Sequence, residues 1–256
     1  MRLLIIASFL LLQACAITVP VRQTNSPQTN GNNVLEYTTS VGSSPMIEPE
    51  VSSGLETADN HGDLVHRISY GITDSVDLEY EMGVNFFSGS QSVLGLKYQW
   101  IGTPSFKTKE GDFHSTVRLR YMGFSGVKDD PNKEETIFDD SKFIENLSAD
   151  MYSISNSFGY SFFDSLMGYG GFQYIKGDIN FRYRDGGPTG TLINSSRSID
   201  GYGAFAGLSL NIKFNNVFLW KNSAEYEATM LPSPTRDENI LYESASFATS
   251  FLFNFD

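Results

Sequence analysis

From Val34 to the end of the chain, apolar and polar residues alternate with a period of two, the pattern of strands with two unlike faces. In DLVHRISYGI the even positions are Leu64, His66, Ile68, Tyr70 and Ile72, against Val65, Arg67, Ser69 and Gly71. DLEYEMGVNF sets Leu78, Tyr80, Met82, Val84 and Phe86 against Asp77, Glu79, Glu81, Gly83 and Asn85. VLGLKYQWI and STVRLRY keep the rule, with Leu94, Leu96, Tyr98 and Trp100, then Val117, Leu119 and Tyr121, on the apolar parity. MYSISNSFGYSF sets aromatics against serines, and DGYGAFAGLSLNIKF carries the longest alternation. The final run places Phe247, Phe251, Phe253 and Phe255 on one parity. Only the run from Leu166 to Tyr183 slips phase, at Gly170-Gly171, which predicts a β-bulge there.

These runs predict ten strands, at about 34–44, 63–72, 77–87, 91–101, 112–124, 149–162, 166–183, 199–214, 217–230 and 240–255. Eight or twelve strands are the alternatives. Several runs reach 10 to 16 residues. Globular strands peak at about 5–6 residues, whereas tilted membrane strands need about 9–11. Short turns fall at 73–75, 163–165 and 215–216, and long polar connections at 125–149 and 184–198, with a medium one at 231–239. Short turns on one side and longer loops on the other fit an outer-membrane barrel. Two connections fit less well: 88–90 is short for an outer loop and 102–111 is long for a turn.

Alternation alone leaves open which face is inside. A soluble sandwich or lipocalin-like barrel turns its apolar face inward, and a membrane barrel turns it to lipid. Strand length and the continuity of the apolar face favour a single antiparallel transmembrane β-barrel. Tyr80 and Met82 then face lipid, and Glu79 and Glu81 face the lumen.

Composition narrows the reading. Charged residues make up 19% of the 256 positions, below the roughly 25% of a typical soluble protein, and aromatics reach 14%. Beyond residue 12 no stretch approaches the ~20 apolar residues of a spanning helix, so a helical bundle in the membrane is excluded. The net charge of −12, with no basic patch, argues against a nucleic-acid partner. The one cysteine, Cys15, excludes an internal disulfide.

MRLLIIASFLLLQAC reads as a secretory signal, with Arg2 ahead of an apolar core from Leu3 to Leu12. Its end, Leu12-Gln13-Ala14-Cys15, resembles the lipobox of bacterial lipoproteins, with Gln13 where a small or β-branched residue is preferred. The resemblance implies a signal peptide over 1–14 and acylation of Cys15. Ile17 stands where that family uses aspartate for inner-membrane retention. Residues 15–33 then form a lipid-anchored tether, whose TVPVRQTNSPQTNGNN (Thr18 to Asn33) has little apolar surface and is expected to be flexible.

Residues 34–256 resemble bacterial outer-membrane β-barrels through the strand pattern and the terminal ATSFLFNF. That segment is similar to the family's C-terminal insertion signal, which implies the barrel-insertion machinery as a partner beside outer-membrane lipid. This chain departs by carrying Asp256 after Phe255. YGITDSVDLEY also resembles a hairpin of many small outer-membrane proteins. The family implies outer-membrane localisation with extracellular loops, and strand parity places the lipid anchor on the periplasmic side.

Candidate chemistry is sparse. The inward parity holds Arg67, Glu79, Glu81, Lys97, Arg118, Arg120, Lys213, Lys221, Glu225 and Glu227, read as an electrostatic network filling a narrow lumen. The runs 149–162 and 199–214 offer mainly Ser and Gly inward, which leaves room for a thin water-filled cleft. His61 with Asp59 and Asp63 in a loop is the one acid–histidine group of the kind outer-membrane proteases use, and solvated surface is its simpler reading. Asp129, Asp130, Asp139 and Asp140 match no EF-hand spacing, and no zinc-ligand spacing is present. No cofactor is expected. The expected function is a structural, surface-interaction or weak transport role without chemistry of its own. A narrow channel for small solutes is the alternative, then a loop-borne hydrolase, then a periplasmic soluble binder. An extracellular ligand would be met by the loops 125–149 and 184–198.

Overall fold

Ten antiparallel strands close on themselves in the computed structural model, which describes residues 17–18, 25–47, 60–85, 89–125, 142–185, 189–232 and 239–255. They are β1 (Val34–Ile47), β2 (Asn60–Thr73), β3 (Val76–Asn85), β4 (Gly89–Ile101), β5 (Phe113–Ser125), β6 (Lys142–Ser161), β7 (Leu166–Asp185), β8 (Thr191–Lys213), β9 (Phe218–Pro232) and β10 (Asn239–Asn254). Each pairs with its neighbours in sequence, and β10 returns to β1 with Asn254 opposite Val34 and Ser246 opposite Gly42. Closure gives the first and last strands partners, so the sheet has no edge. A sheet in hydrocarbon must meet that condition, because no water is present to take unpaired N–H and C=O groups.

The side-chain alternation is inverted relative to a soluble barrel. Leu78, Tyr80 and Met82 of β3 are exposed, while Asp77, Glu79 and Glu81 are buried. The same holds for Leu94, Leu96 and Tyr98 against Lys97 and Gln99, and for Leu119 and Tyr121 against Arg118 and Arg120. Carboxylates and guanidinium groups inside, with Leu, Tyr and Phe outside, make sense only if the outside is hydrocarbon. The fold is therefore a transmembrane β-barrel. Replacing Tyr80 by arginine would put a charge on the lipid face, and is expected to cost about 2–4 kcal/mol near the bilayer midplane. Urea unfolding of the barrel in lipid vesicles measures it. An unchanged midpoint would mean that Tyr80 does not meet lipid.

The connections after β2, β6 and β8 are short and share one end with the longer 102–112, and the connections after β1, β3, β5, β7 and β9 lie at the other, long-loop end. The long-loop end stands clear of the membrane. β6 and β7 have 20 residues each and β8 has 23. At about 3.3 Å per residue and a tilt near 45° they rise roughly 45–55 Å, against an apolar band of ~25 Å. Their outer stretches carry Lys176, Asp178, Asn180, Arg182, Asn194, Ser196 and Ser198 on the exposed face. Where apolar gives way to polar, tyrosines meet acids: Tyr121 donates to Asp150 Oδ1 at 2.6 Å, and Tyr226 donates to Glu243. Aromatic rings at the level of the headgroups, each with a polar tip, mark a membrane interface.

Two expectations change. β6 and β8 begin at Lys142 and Thr191 rather than at 149 and 199, so much of the two long connections is strand. The bulge at Gly170-Gly171 is absent, because β7 keeps continuous register with both neighbours there. The apparent slip arises because β7 turns Met167, Tyr169, Ile175 and Ile179 inward, all of them buried. The register shifts lie instead between Gly71 and Thr73, Gln99 and Ile101, and Ile144 and Asn146.

Candidate functional site

The lumen has two levels. Toward the long-loop end the inward Val65, Val93, Met122, Met151, Ile179 and Leu231 are buried, beside the polar Asp63 and Gln91. Toward the short-turn end the buried charged groups gather. Glu79 lies at the centre, with Arg118 Nε at 3.1 Å, Lys97 Nζ at 3.7 Å and Arg120 Nε at 3.9 Å. Lys97 also lies 3.6 Å from Asp77, and Arg67 lies 3.8 Å from Glu36. All seven groups are at most 4% exposed. Glu81, Lys221, Glu225 and Glu227 face the same space and are also buried. Two of these acids, Glu36 and Asp77, were outside the network read from sequence. Lys213, inside it, is exposed at the short-turn rim, where its Nζ donates to the Phe106 carbonyl at 3.0 Å.

Inside this charged level runs the chain's own segment Asn25–Asn30. Asn25, Ser26, Gln28, Thr29 and Asn30 are each at most 2% exposed. The wall grips both main chain and side chains. Glu225 accepts from the Asn25 amide N–H at 2.8 Å and from its Nδ2 at 3.1 Å, while Arg118 donates to Asn25 Oδ1 at 3.2 Å. Lys221 donates to Ser26 Oγ at 2.9 Å, and Lys97 to the Gln28 carbonyl at 2.7 Å. Gln99 Oε1 accepts from the Thr29 N–H at 2.7 Å, and the Asp77 carboxylate accepts from the Asn30 N–H at 3.0 Å. Asn30 Nδ2 reaches Ser69 Oγ at 2.9 Å. Hydrogen bonds with a charged partner contribute about 1.5–3 kcal/mol each, so the contacts to Glu225, Lys221, Lys97 and Asp77 hold the segment firmly.

The flexible tether expected through Asn33 is thus corrected for Asn25–Asn33. Few apolar groups to bury is no obstacle when the cavity is itself polar and supplies partners. The small-residue wall has its explanation here too. Ser153, Ser155, Ser157 and Gly159 of β6 clear the space that the segment fills, and a Cβ on Gly159 would stand 2.5 Å from Pro27 Cγ.

The segment leaves through the short-turn end by a tight reversal. Gly31 has φ +105° and Asn33 φ 54°, backbone states that favour glycine and tolerate asparagine. The Asn33 N–H donates to the Gly71 carbonyl at 3.0 Å, and the approach is so close that a Cβ on Gly71 would stand 1.7 Å from the Gly31 oxygen. The long connection 102–111 folds across this mouth through a 3-10 turn, Ser105–Lys107. Ser105 donates its N–H to the Thr29 carbonyl at 2.9 Å, and Phe106 packs on the cluster of Val34, Leu219 and Leu252. Its length serves to cover the mouth. Asp74, in the turn after β2, accepts from Lys107 Nζ at 2.6 Å and from the Asn32 N–H at 3.2 Å. These donors hold its carboxyl below the usual range, the lysine contributing most.

The other candidates do not converge. Asp63 is buried on the inward face of β2, and His61 belongs to the same strand rather than to a loop, while Asp59 lies outside the described residues. His114 is buried at the short-turn end, with Nε2 3.1 Å from Ser161 Oγ. His66 sits on the outer face against the Tyr37 hydroxyl at 2.8 Å. Among the described residues no group of three or more His, Cys, Asp or Glu could hold a metal ion. Cys15 and the acidic stretch containing Asp129, Asp130, Asp139 and Asp140 lie outside the described residues.

No protein-family model matches the chain, and no curated protein does. Weak structural likenesses are found among solved barrels. The attachment invasion locus protein Ail of Yersinia pestis, solved with the heparin analogue sucrose octasulfate, is 13% identical, with TM-score 0.35, over 87% of this chain and 98% of Ail. The translocator domain of the autotransporter NalP from Neisseria meningitidis is 11% identical, with TM-score 0.42, over 88% and 90%. The outer membrane protease OmpT from Escherichia coli is 8% identical, with TM-score 0.41, over 88% and 94%.

Proposed function

We propose that the protein is a sealed barrel of the bacterial outer membrane, with its long-loop end outside, whose role is structural or surface-interacting rather than conducting. One observation carries the reading: a lumen already narrow at ten strands is occupied by Asn25–Asn30, held by polar contacts to the wall and to the 102–111 connection across the mouth. Wide aqueous channels arise at about sixteen strands, and here side chains and a backbone strand fill what space there is. Above the segment, the inward Met122, Met151, Ile179 and Leu231 add a zone that disfavours water. The outer stretches of β6–β8, rising above the apolar band, supply the surface on which an extracellular partner would act. Leu12-Gln13-Ala14-Cys15 supports acylation of Cys15 as an additional anchor. The test is liposome swelling with the purified protein and small sugars. No swelling above protein-free vesicles is expected, and rapid swelling would put the channel reading in first place.

A further inference from the structure

The order in which the internal segment meets the wall gives its direction. Asn30 bonds Asp77 and Ser69, beside the 74–75 turn at the short-turn end. Asn25, earlier in sequence, bonds Glu225 and Arg118 further up the lumen, Glu225 being seven residues along β9 from its start at Phe218. Going backward in sequence, the segment therefore climbs away from the short-turn mouth. A tether arriving from that mouth would show the opposite order. The chain reappears at Ile17 and Thr18, which pair with Ile47 and Met46 at the far, long-loop end of β1. The reach is sufficient: seven steps of chain span at most about 23–25 Å, and the seven steps of β9 from Glu225 to Pro232 cover a similar length along a tilted strand.

We propose that the N-terminal segment is threaded through the barrel, passing in at the long-loop mouth and out at the short-turn mouth before climbing back in the wall as β1. The lumen is then a binding channel for this protein's own extended, Asn- and Gln-rich chain. Glu225, Lys97, Gln99 and Asp77 are its main-chain contacts, and Gly71 and Gly159 clear its path. Ile17 and Thr18 then lie on the loop side of the membrane. The inference rests on the outward orientation proposed above for the statement that this side is the cell surface.

The test uses the full chain in cells, with an epitope tag between Ala16 and Ile17, a second variant tagged between Ser233 and Pro234 in the β9–β10 loop, and a third tagged between Asn215 and Asn216 in the β8–β9 turn. Heat-modified gel mobility confirms that each barrel is folded. Antibody is applied to intact and to permeabilised cells. Threading predicts that the Ala16 tag and the loop tag are both stained on intact cells, while the turn tag is stained only after permeabilisation. A stained loop tag with a hidden Ala16 tag overturns the threading. A stained turn tag with the other two hidden overturns the orientation and upholds the threading, since the Ala16 tag still shares the side of the loops. If the insertion at Ala16 prevents folding, Thr18→Cys probed with a membrane-impermeant maleimide gives the same reading, with the wild type reporting any free Cys15 thiol.

Discussion

Glu79→Ala is expected to destabilise the barrel by about 3–5 kcal/mol, the cost of breaking a buried ion pair from one side. The effect is large because Glu79 is shared. Arg118, Lys97 and Arg120 lie within 3.9 Å of it, and none of the three is more than 4% exposed. Removing the carboxylate leaves three cations close together in a space that water does not freely enter. Glu79→Gln keeps the shape and removes only the charge, so it is expected to recover little of the loss. An outward change at the next position, such as Tyr80→Phe, keeps the ring on lipid and is expected to leave stability near wild type. Urea unfolding in vesicles, followed by tryptophan fluorescence, measures all three. Equal stability of Glu79→Ala and wild type would mean that the cations find other partners.

Much of this arrangement was legible in the sequence, because period two has a direct physical consequence. Successive side chains of a strand point to opposite faces, so parity alone separates Tyr80 from Glu79 and Leu96 from Lys97. All ten strands follow from it, as does the inward facing of Arg67, Glu81, Arg118 and Arg120. Parity could not supply the contents of the lumen. Glu36 lies within LEYTTS, a weak alternation in which threonines occupy both faces. β7 seemed to slip because apolar residues lie on both of its faces, with Ile175 and Ile179 inward and Phe172 and Tyr174 outward. The most consequential miss is Asn25–Asn30. A run of Asn, Ser, Gln and Thr reads as solvated chain unless a polar cavity is known to await it. Two signals did point there. Ser- and Gly-faced strands opposite a charged wall left unfilled space, and a ten-residue turn stood where a short one was due.

Removing residues 18–30 while keeping Gly31 and β1 is expected to have the second large effect. Glu225, Lys221, Lys97 and Asp77 would each lose a partner that the segment supplies, and water would have to enter to solvate them. At roughly 1–3 kcal/mol per buried group left unsatisfied, more where it is charged, either the barrel loses its heat-resistant folded form or the lumen floods. Flooding is the expected course for Lys97 and Lys221, since both line the vacated path. Gel mobility with and without heating separates the two results.

The claim that the chain closes its own barrel is tested most directly by planar-bilayer recording of the wild-type protein beside the folded variant lacking residues 18–30. The wild type is predicted to give no steady conductance, and the variant to give small, persistent openings. Steady conductance from the wild type, or a folded variant as silent as the wild type, would contradict it.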